Sequence, residues 1–316
     1  MSDNGHGADR PGLLDRIAAG PISWGVCEVP GWGLQLPVDR VLAEMAELGL
    51  HSTELGAIGW LPTDAHELRA TLAAHDMRAV GAFVPLPLHD PDRRDEALAS
   101  ATAMAELLAD VGAEHFVTAA VSDPADWQRP DVDEAGWDHL IGMLDEVETI
   151  ADAHGLRQVV HPHVDTLVET ADELERVLAG SDVAICLDTG HLTIGGADPI
   201  RIAANAADRV GLVHLKDVRT PVADRLNAGE IGLMRAVQEG LFAPLGDGDV
   251  PIDEVIITLE DQGYAGLYVL EQDVALTDGA PAVGEGPARD VAKSVAYLRS
   301  VATRQRTTLR GGGVAR

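Results

Sequence analysis

Four segments of this sequence end an apolar, strand-like run with a histidine or a carboxylate. They are VVHPHVDT (residues 159–166), CLDTGHL (186–192), VHLKD (213–217) and VLEQD (269–273). Helix-like stretches separate them, and strands that alternate with helices tend to be parallel. Parallel strands place their carboxyl ends at one edge of a sheet, so these polar residues are expected to converge.

The rest of the chain repeats this alternation of strand and helix. Short apolar or β-branched runs predict eight strands, at residues 21–26, 51–55, 79–84, 115–119, 157–161, 183–187, 210–215 and 267–270. Stretches of helical period predict helices that include residues 38–48, 65–75, 94–111, 136–154, 167–178 and 285–301. Eight such units predict one α/β domain, a single (β/α)₈ TIM barrel.

A doubly wound open sheet is the structural alternative. Its glycine-rich phosphate turn after the first strand is missing, because the chain continues there as SWGVCEVPGWG (residues 23–33). We expect the barrel domain at residues 19–303, between flexible tails at 1–18 and 304–316. The interval 227–250 is longer than an ordinary connection and is a candidate lid over the barrel mouth.

Composition limits the possible partners. The 316 residues carry a formal net charge of −29, which disfavours nucleic acids and anionic membrane surfaces. Two cysteines are too few for a disulfide framework, and no apolar run approaches the length of a membrane helix. The first residues resemble no export signal, so we expect a cytoplasmic protein.

The strand-end residues His161, Asp188, His214 and Glu271 are candidate metal ligands, one from each of four strands. Residues two apart on a strand share a face, so Glu271 lies on the side of Val269. Two imidazoles and two carboxylates suit Mn²⁺ or Co²⁺ best, with Fe²⁺, Zn²⁺ or Mg²⁺ as alternatives. The competing interpretation is that these four polar residues end their strands by coincidence.

Other candidate site residues adjoin these ligands in sequence. His163, His191, Lys216 and Asp217 are candidates for proton transfer or substrate orientation, although Lys216 and Asp217 could also form a structural ion pair. Candidates for the mouth and substrate contact are Trp24, Cys27, Glu28, Glu54 and Asp247. Cys186, two residues before Asp188, is expected to pack inward.

The chain resembles the sugar phosphate isomerase/epimerase superfamily, which has a xylose-isomerase-like barrel. Within it, the sequence is most similar to inosose dehydratases of myo-inositol catabolism. The resemblance spans residues 20–303 and is carried by ELGAIGWLPTD (54–64), HPHVDTLVET (161–170), CLDTGHLTIGGADP (186–199), VHLKDV (213–218), EGLFAPLGDG (239–248) and VLEQD (269–273). It implies a metal on the residues matching His161, Asp188, His214 and Glu271.

Two positions depart from the superfamily's pattern. The sugar isomerases commonly have a glutamate where His161 stands, which favours the dehydratase branch with its similar His-Pro-His segment. Asp165 stands where a glycine is expected. The resemblance implies removal of water from a keto-inositol through a metal-stabilised enolate. His163, Lys216 or Glu271 would take the proton from the carbon beside the ketone. His191 or Asp217 would supply a proton to the leaving hydroxyl.

Three functions from different classes follow from these observations. The first is a metal-dependent lyase acting on 2-keto-myo-inositol, and the second is a ketose or sugar phosphate isomerase or 3-epimerase using the same metal. The third is a non-catalytic sugar-binding or regulatory barrel. A phosphorylated substrate is disfavoured because only Lys216 and Arg219 are evident near the mouth as anion-binding side chains. We expect a small polyhydroxylated ketone or sugar as partner and a homo-oligomer, a dimer or tetramer.

Overall fold

Eight parallel strands close into a barrel in the computed structural model, which describes residues 11–27, 29–124 and 129–311. The strands are β1 (Ile17–Ala19), β2 (Ser52–Glu54), β3 (Arg78–Leu86), β4 (His115–Ala120), β5 (Arg157–Val160), β6 (Ala184–Asp188), β7 (Val210–Leu215) and β10 (Tyr268–Leu270). Each pairs with its neighbour in sequence order, and β10 closes the ring against β1. The predicted TIM barrel is therefore confirmed.

Helices surround the barrel. They are α1 (Val38–Glu47), α2 (Ala65–Ala74), α3 (Arg94–Asp110), α4 (Glu134–Ala153), α5 (Ala171–Gly180), α6 (Thr189–Ile194), α7 (Pro199–Asn205), α8 (Thr220–Asn227), α9 (Leu233–Gln238), α10 (Ile252–Asp261) and α11 (Pro287–Gly311). Two short strands, β8 (Asp217–Val218) and β9 (Phe242–Ala243), form an antiparallel ribbon after β7. The predicted lid interval 227–250 contains α9 and β9. None of the described helices is apolar over a length that would cross a membrane.

The first predicted strand, at residues 21–26, is wrong. Pro21–Trp24 form a 3₁₀ turn that ends at Gly25 with φ of 85°, because proline cannot donate to a strand ladder and suits the first position of a turn. The first strand is instead Ile17–Ala19, whose two alanines have low strand propensity.

The predicted tails also change at their boundaries. The 3₁₀ turn Leu13–Arg16 and the first two residues of β1 lie inside the predicted tail 1–18, and α11 continues past residue 304 to Gly311. Residues 1–10 and 312–316 of those predicted tails lie outside the described residues, as does Glu28.

Small and branched side chains fill the barrel interior. The buried members of this inner cluster are Ala18, Val80, Val117, Val159, Ala184, Cys186, Leu212 and Val269. Tyr268 and Leu270, on the opposite face of β10 from Val269, pack in the outer core under the helices. This alternation confirms the predicted inward packing of Cys186, and it aims residue 271 at the barrel axis.

Candidate active site at the barrel mouth

The four predicted ligands meet at the carboxyl end of the barrel. The ligand atoms of His161, Asp188, His214 and Glu271 all lie within 4.8 Å of one another. His161 Nε2 lies 3.2 Å from Asp188 Oδ2, and His214 Nδ1 lies 3.0 Å from Glu271 Oε2. We name this group the ligand cluster.

The local structure fixes each ligand. Asp188 ends β6 and caps α6, and its Oδ1 accepts hydrogen bonds from Gly190 N and His191 N at 2.8 Å each. The other oxygen, Oδ2, faces the ligand cluster. Glu271 N donates to Leu215 O at 3.1 Å, which extends the β7–β10 pairing to the ligand itself. The backbone therefore positions both carboxylates before any ion binds.

Glu54, at the end of β2, contacts the other side of His214. Its Oε1 lies 3.0 Å from His214 Nε2, while Nδ1 of the same ring faces Glu271. A carboxylate that holds the second nitrogen of a metal-binding histidine orients the ring and raises its basicity. Glu54 also lines the cavity described below, so its contact with His214 is compatible with the predicted contact between Glu54 and substrate.

Carboxylates outnumber cations in this buried region. Lys216 Nζ lies 3.0 Å from Glu271 Oε2, 2.9 Å from Asp273 Oδ1 and 3.6 Å from Asp188 Oδ2. Burial opposes ionisation of Asp188 and Glu271, but the ammonium of Lys216 holds the pKa of both carboxyls below the ordinary value. Burial raises the pKa of Asp273 to about 6.

The same contacts set the charge of Lys216 and His214. Burial alone would lower the pKa of Lys216, but Asp273, Glu271 and Asp188 hold it well above its ordinary value. Burial likewise opposes protonation of His214, yet Cys186 and the carboxylates of Glu54 and Glu271 raise its pKa. Lys216 is therefore a charged ammonium inside the barrel mouth.

Two further imidazoles stack beside the ligand cluster. The ring centroids of His163 and His191 lie 3.7 Å apart, and His191 Nε2 lies 3.0 Å from Lys216 Nζ. Burial, His161 and Lys216 lower the pKa of His163 to about 3. Its Nδ1 must donate to the carbonyl of Val164 at 2.6 Å, so Nε2 is the acceptor nitrogen.

A cavity of about 270 Å³ opens onto this chemistry. Its polar floor is formed by Glu54, His161, His163, Lys216, Glu271 and Asp273. Apolar residues form the walls, including Ile22, Trp32, Ile58, Phe83 and Leu233. Such a combination of apolar walls and a few convergent polar groups is typical of a small-molecule site.

The donor set fits a divalent metal ion. Ligands about 2.1 Å from one ion lie roughly 3.0 to 3.4 Å from their neighbours, close to the 3.2 and 3.0 Å separations in the cluster. Asp188, Glu271 and Asp273 lie within 3.6 Å of the Lys216 ammonium, and Glu54 contacts His214 instead, so the excess of buried carboxylates favours a further cation. In addition, His161 Nδ1 is buried without a hydrogen-bond partner among the described residues.

Three predicted site residues lie away from this cavity. The carboxylate of Asp217 accepts hydrogen bonds from the backbone N–H groups of Val218, Gly246, Gly248 and Val250 at 2.8 to 3.0 Å. This saturated carboxylate holds the loop after β9 and is not available to substrate, which corrects the predicted proton-transfer role of Asp217.

The predictions for Trp24 and Asp247 need the same correction. Trp24 is fully buried and its indole N–H donates to Glu44 Oε2 at 2.8 Å, so it belongs to the core next to α1. Asp247 is on the exposed turn of the loop and forms an ion pair with Lys293 at 3.4 Å. Cys27, by contrast, lines the cavity.

Asp273 is the residue that sequence reasoning missed. It lies two positions beyond Glu271, so the same alternation that selected Glu271 indicates that Asp273 shares its face. Asp273 is 7% exposed, and its carboxylate contacts Lys216 in the cavity floor. The alternation within VLEQD (residues 269–273) is the signal that identifies Asp273.

The departure at Asp165 has a structural explanation. Asp165 adopts φ of 64°, a left-handed conformation that glycine adopts readily and that aspartate tolerates better than most residues. Its backbone N–H donates to Glu169 Oε2 at 3.0 Å, which ties the turn after β5 to the residues that precede α5. The turn geometry is therefore compatible with either residue.

Comparison with known proteins supports the fold. A family model described as a xylose isomerase-like TIM barrel matches residues 42–301. An inosose dehydratase from Geobacillus kaustophilus (strain HTA426) is 32% identical over 270 residues, which cover 82% of this chain and 87% of that protein.

Two solved structures share the fold at lower sequence identity. An L-ribulose 3-epimerase has a TM-score of 0.70 and 16% identity, covering 95% of this chain and 98% of its own. The IolI protein with a bound zinc atom has a TM-score of 0.66 and 14% identity, covering 92% of this chain and 98% of its own. With a family model matched over most of its length, the chain belongs to the xylose isomerase-like TIM barrel family.

Proposed function

We propose that this protein is a metal-dependent dehydratase that removes water from a keto-inositol such as 2-keto-myo-inositol (scyllo-inosose). The observation that carries this proposal is the arrangement of the cavity floor. The ligand cluster adjoins a neutral imidazole, His163, and a charged ammonium, Lys216. The 32% identical inosose dehydratase supports the choice of substrate.

His161, Asp188, His214 and Glu271 would hold the metal. Bound there, a divalent ion would supply Lewis-acid stabilisation of the negative charge that develops on the ketone oxygen. The mixed nitrogen and oxygen donors favour Mn²⁺ or Co²⁺. The zinc atom bound by the structurally similar IolI protein supports the presence of a metal in this protein.

His163 is the group we assign to accept the proton from the carbon beside the ketone. Its low pKa keeps the imidazole neutral at physiological pH, and its hydrogen bond to Val164 O leaves Nε2 as the acceptor. His163 lines the cavity, so a substrate can reach this nitrogen. A general base needs both this protonation state and this access.

Lys216 is the group we assign to protonate the leaving hydroxyl. The carboxylates of Asp273 and Glu271 keep its ammonium charged, and it also lines the cavity. As His163 takes the carbon-bound proton, the C–H electron pair forms the new double bond and the neighbouring C–O bond breaks. The departing oxygen takes a proton from Lys216 and leaves as water, and the imidazolium of His163 returns a proton to the amine.

A 3-epimerase acting on a ketose is the second candidate, and one observation favours it. Glu54 and Glu271, two carboxylates from different strands, both line the cavity. Paired carboxylates can remove and return a proton on opposite faces of a carbon next to a ketone. However, both also contact His214 at 3.0 Å, Glu54 as the carboxylate that orients the ring and Glu271 as a neighbouring member of the ligand cluster.

A mutational assay tests the assignment of the two proton-transfer groups. We expect His163→Gln and Lys216→Gln to lower kcat for scyllo-inosose by at least 100-fold, since general acid–base catalysis contributes 10²- to 10⁴-fold. His66→Gln, an exposed substitution on α2, is the matched control and should keep full activity. Full turnover by His163→Gln would contradict its assignment as the base.

Product analysis in D₂O separates the two enzymatic candidates. A dehydratase gives a product that lacks one water. An epimerase instead returns a ketose of the same mass, apart from deuterium at the carbon beside the ketone. Deuterated epimers without water loss would overturn the dehydratase proposal.

A further inference from the structure

A second group of potential metal donors lies directly beside the ligand cluster. The donor atoms of His163, His191 and Asp273 all lie within 4.8 Å of one another. His191 and Asp273 are buried and His163 is partly buried. We name these three residues the second donor set.

A cation of the protein itself already occupies this location. Lys216 Nζ lies 3.0 Å from His191 Nε2 and 2.9 Å from Asp273 Oδ1, two of the three members of the second donor set. It also lies 3.0 Å from Glu271 Oε2, an oxygen that belongs to the ligand cluster. The ammonium nitrogen therefore stands next to the ligand cluster, with Glu271 shared between the two.

The fold holds the lysine firmly in this position. Its stem passes over Gly190, where a Cβ atom would come within 2.8 Å of Lys216 Cγ. Thr189 Oγ1 donates to Lys216 O at 2.8 Å and accepts from Lys216 N at 2.9 Å, so the backbone is fixed as well. The ring of Phe242 lies 5.0 Å from Nζ and covers it.

We propose that the Lys216 ammonium occupies the position of a second cation, so that the chain holds one metal ion although it carries donors for two. This inference rests on the metal site of the proposed function. The imidazole of His191 adjoins Nζ as well as the carboxylates do, and this mixture of imidazole and carboxylate is the composition of the second donor set.

The substitution of an ammonium for a metal has a chemical consequence. A bound metal ion cannot release a proton, whereas an ammonium carries three and can give one to a departing hydroxyl. The fixed cation therefore adds an acid to the cavity floor and still balances the charge of Glu271 and Asp273. This arrangement suits water removal better than it suits simple proton exchange at carbon.

Metal counting tests the inference. After equilibrium dialysis of the full chain against Mn²⁺, we expect one ion per chain in the wild type and two in Lys216→Ala. Two neighbouring Mn²⁺ ions should also give the EPR spectrum of a spin-coupled pair, which a single ion does not. Lys293→Ala is the matched control, because Lys293 is the only other lysine, is exposed and should leave the count at one.

Chemical rescue adds a second test. n-Propylammonium reproduces the atoms lost in Lys216→Ala, so it should displace one of the two ions and remove the coupled spectrum. The double variant Lys216→Ala/His191→Ala, which lacks a member of the second donor set, should bind one ion. If Lys216→Ala does not fold, as judged by circular dichroism, Lys216→Ser serves in its place with the same expected count.

The outcomes separate this inference from the proposed function. Two ions in the wild type, or one or none in a folded Lys216→Ala, would overturn the assignment of Lys216 as the second cation. A wild type that binds no Mn²⁺ would contradict the metal site itself, and with it the proposed dehydratase.

Discussion

His214 is held from both sides by carboxylates. Glu271 contacts its Nδ1 and Glu54 contacts its Nε2, each at 3.0 Å, and the ring is 1% exposed. Because Glu54 holds Nε2, the ring presents Nδ1 to a metal shared with Glu271 and loses little rotational freedom on binding. Glu54 therefore contributes to metal affinity as a positioning residue.

Glu54→Gln tests this role. We expect the variant to bind Mn²⁺ about 10- to 100-fold more weakly, because a neutral amide orients and polarises the imidazole less well. Isothermal titration calorimetry measures the affinity directly. Glu67→Gln, an exposed substitution on α2, is the matched control, and an unchanged affinity in Glu54→Gln would contradict the role.

The alternation of side chains along a strand predicted most of the site at this scale. It placed Glu271 on the inner face, and the same rule would have selected Asp273. It would also have rejected Asp217, because in VHLKD residues 214 and 216 share the inner face and 217 does not. Asp217 was selected because it follows Lys216 in the sequence. Adjacency in sequence is a weaker signal than alternation, since adjacent side chains on a strand point to opposite faces.

At the scale of elements, Asp217 connects the β8–β9 ribbon to the loop that follows it. Its carboxylate accepts four backbone N–H groups, and a Cβ atom on Gly248 would approach Asp217 Oδ1 to 2.3 Å. β9 carries Phe242, which covers Lys216. The carboxylate therefore positions the cover of the cavity floor without contacting substrate.

Asp217→Asn should destabilise the fold by roughly 1.5 to 3 kcal/mol, because an amide nitrogen would face backbone donors in a buried site. Urea unfolding measures this cost, with Asp224→Asn on the exposed face of α8 as the control. We expect the folded variant to keep its pH profile for turnover. A lost or shifted limb of that profile would instead indicate that Asp217 transfers protons.

A capping box begins α5. Thr170 Oγ1 accepts from Glu173 N, and Glu173 Oε2 accepts from Thr170 N at 2.8 Å and from Glu169 N at 2.9 Å. Burial opposes ionisation of Glu173, but these N–H groups and Arg129 lower its pKa below the ordinary 4.5. A carboxyl with a lowered folded-state pKa stabilises the protein above that value and loses this contribution as the pH falls.

Glu173→Ala should therefore cost about 1 kcal/mol of unfolding free energy at pH 7, and progressively less as the pH falls below 4.5. Urea unfolding at pH 7 and pH 4 gives the two values. Glu175→Ala, on the exposed side of the same helix, should cost little at either pH. A cost that grows on acidification would refute the capping role.

The barrel strands other than β1 lie within a few residues of their predicted positions, and these include the three-residue β2 and β10. The strands β3 to β7 have branched or aromatic side chains and lie within a few residues of their predicted positions. β1 was misplaced because Ile17–Ala19 is short and contains two alanines, whereas the neighbouring PISW reads as apolar and forms a turn. Tertiary pairing with β2 and β10, which no local pattern contains, makes it a strand.

At the scale of the whole molecule, barrel closure brings residues 54, 161, 188, 214 and 271 together although 217 positions separate the first from the last. The sequence could predict this convergence because parallel strands share one carboxyl edge. It could not predict which nitrogen faces which carboxylate, or that Lys216 stands between two donor sets, because those facts depend on the packing of α6 and β9 against β7.

Metal binding should stabilise the whole fold, since the ligand cluster joins four strands. At a free Mn²⁺ concentration 100 times its Kd, the gain is about 2.7 kcal/mol, which differential scanning calorimetry detects as a higher Tm. The net charge of −29 also attracts divalent ions to the surface, so His161→Ala is the necessary control. An equal rise of Tm in that variant would attribute the effect to the surface.

The most direct test of the central claim is an anaerobic assay of metal-stripped protein with scyllo-inosose, before and after reloading with Mn²⁺ or Co²⁺. The proposed function predicts no reaction without metal. After reloading, it predicts growth of the ultraviolet absorbance of an enolised dione, and Glu271→Gln should abolish that growth because it removes a ligand. Turnover that is equal with and without metal, or retained in Glu271→Gln, would contradict the metal-dependent dehydratase.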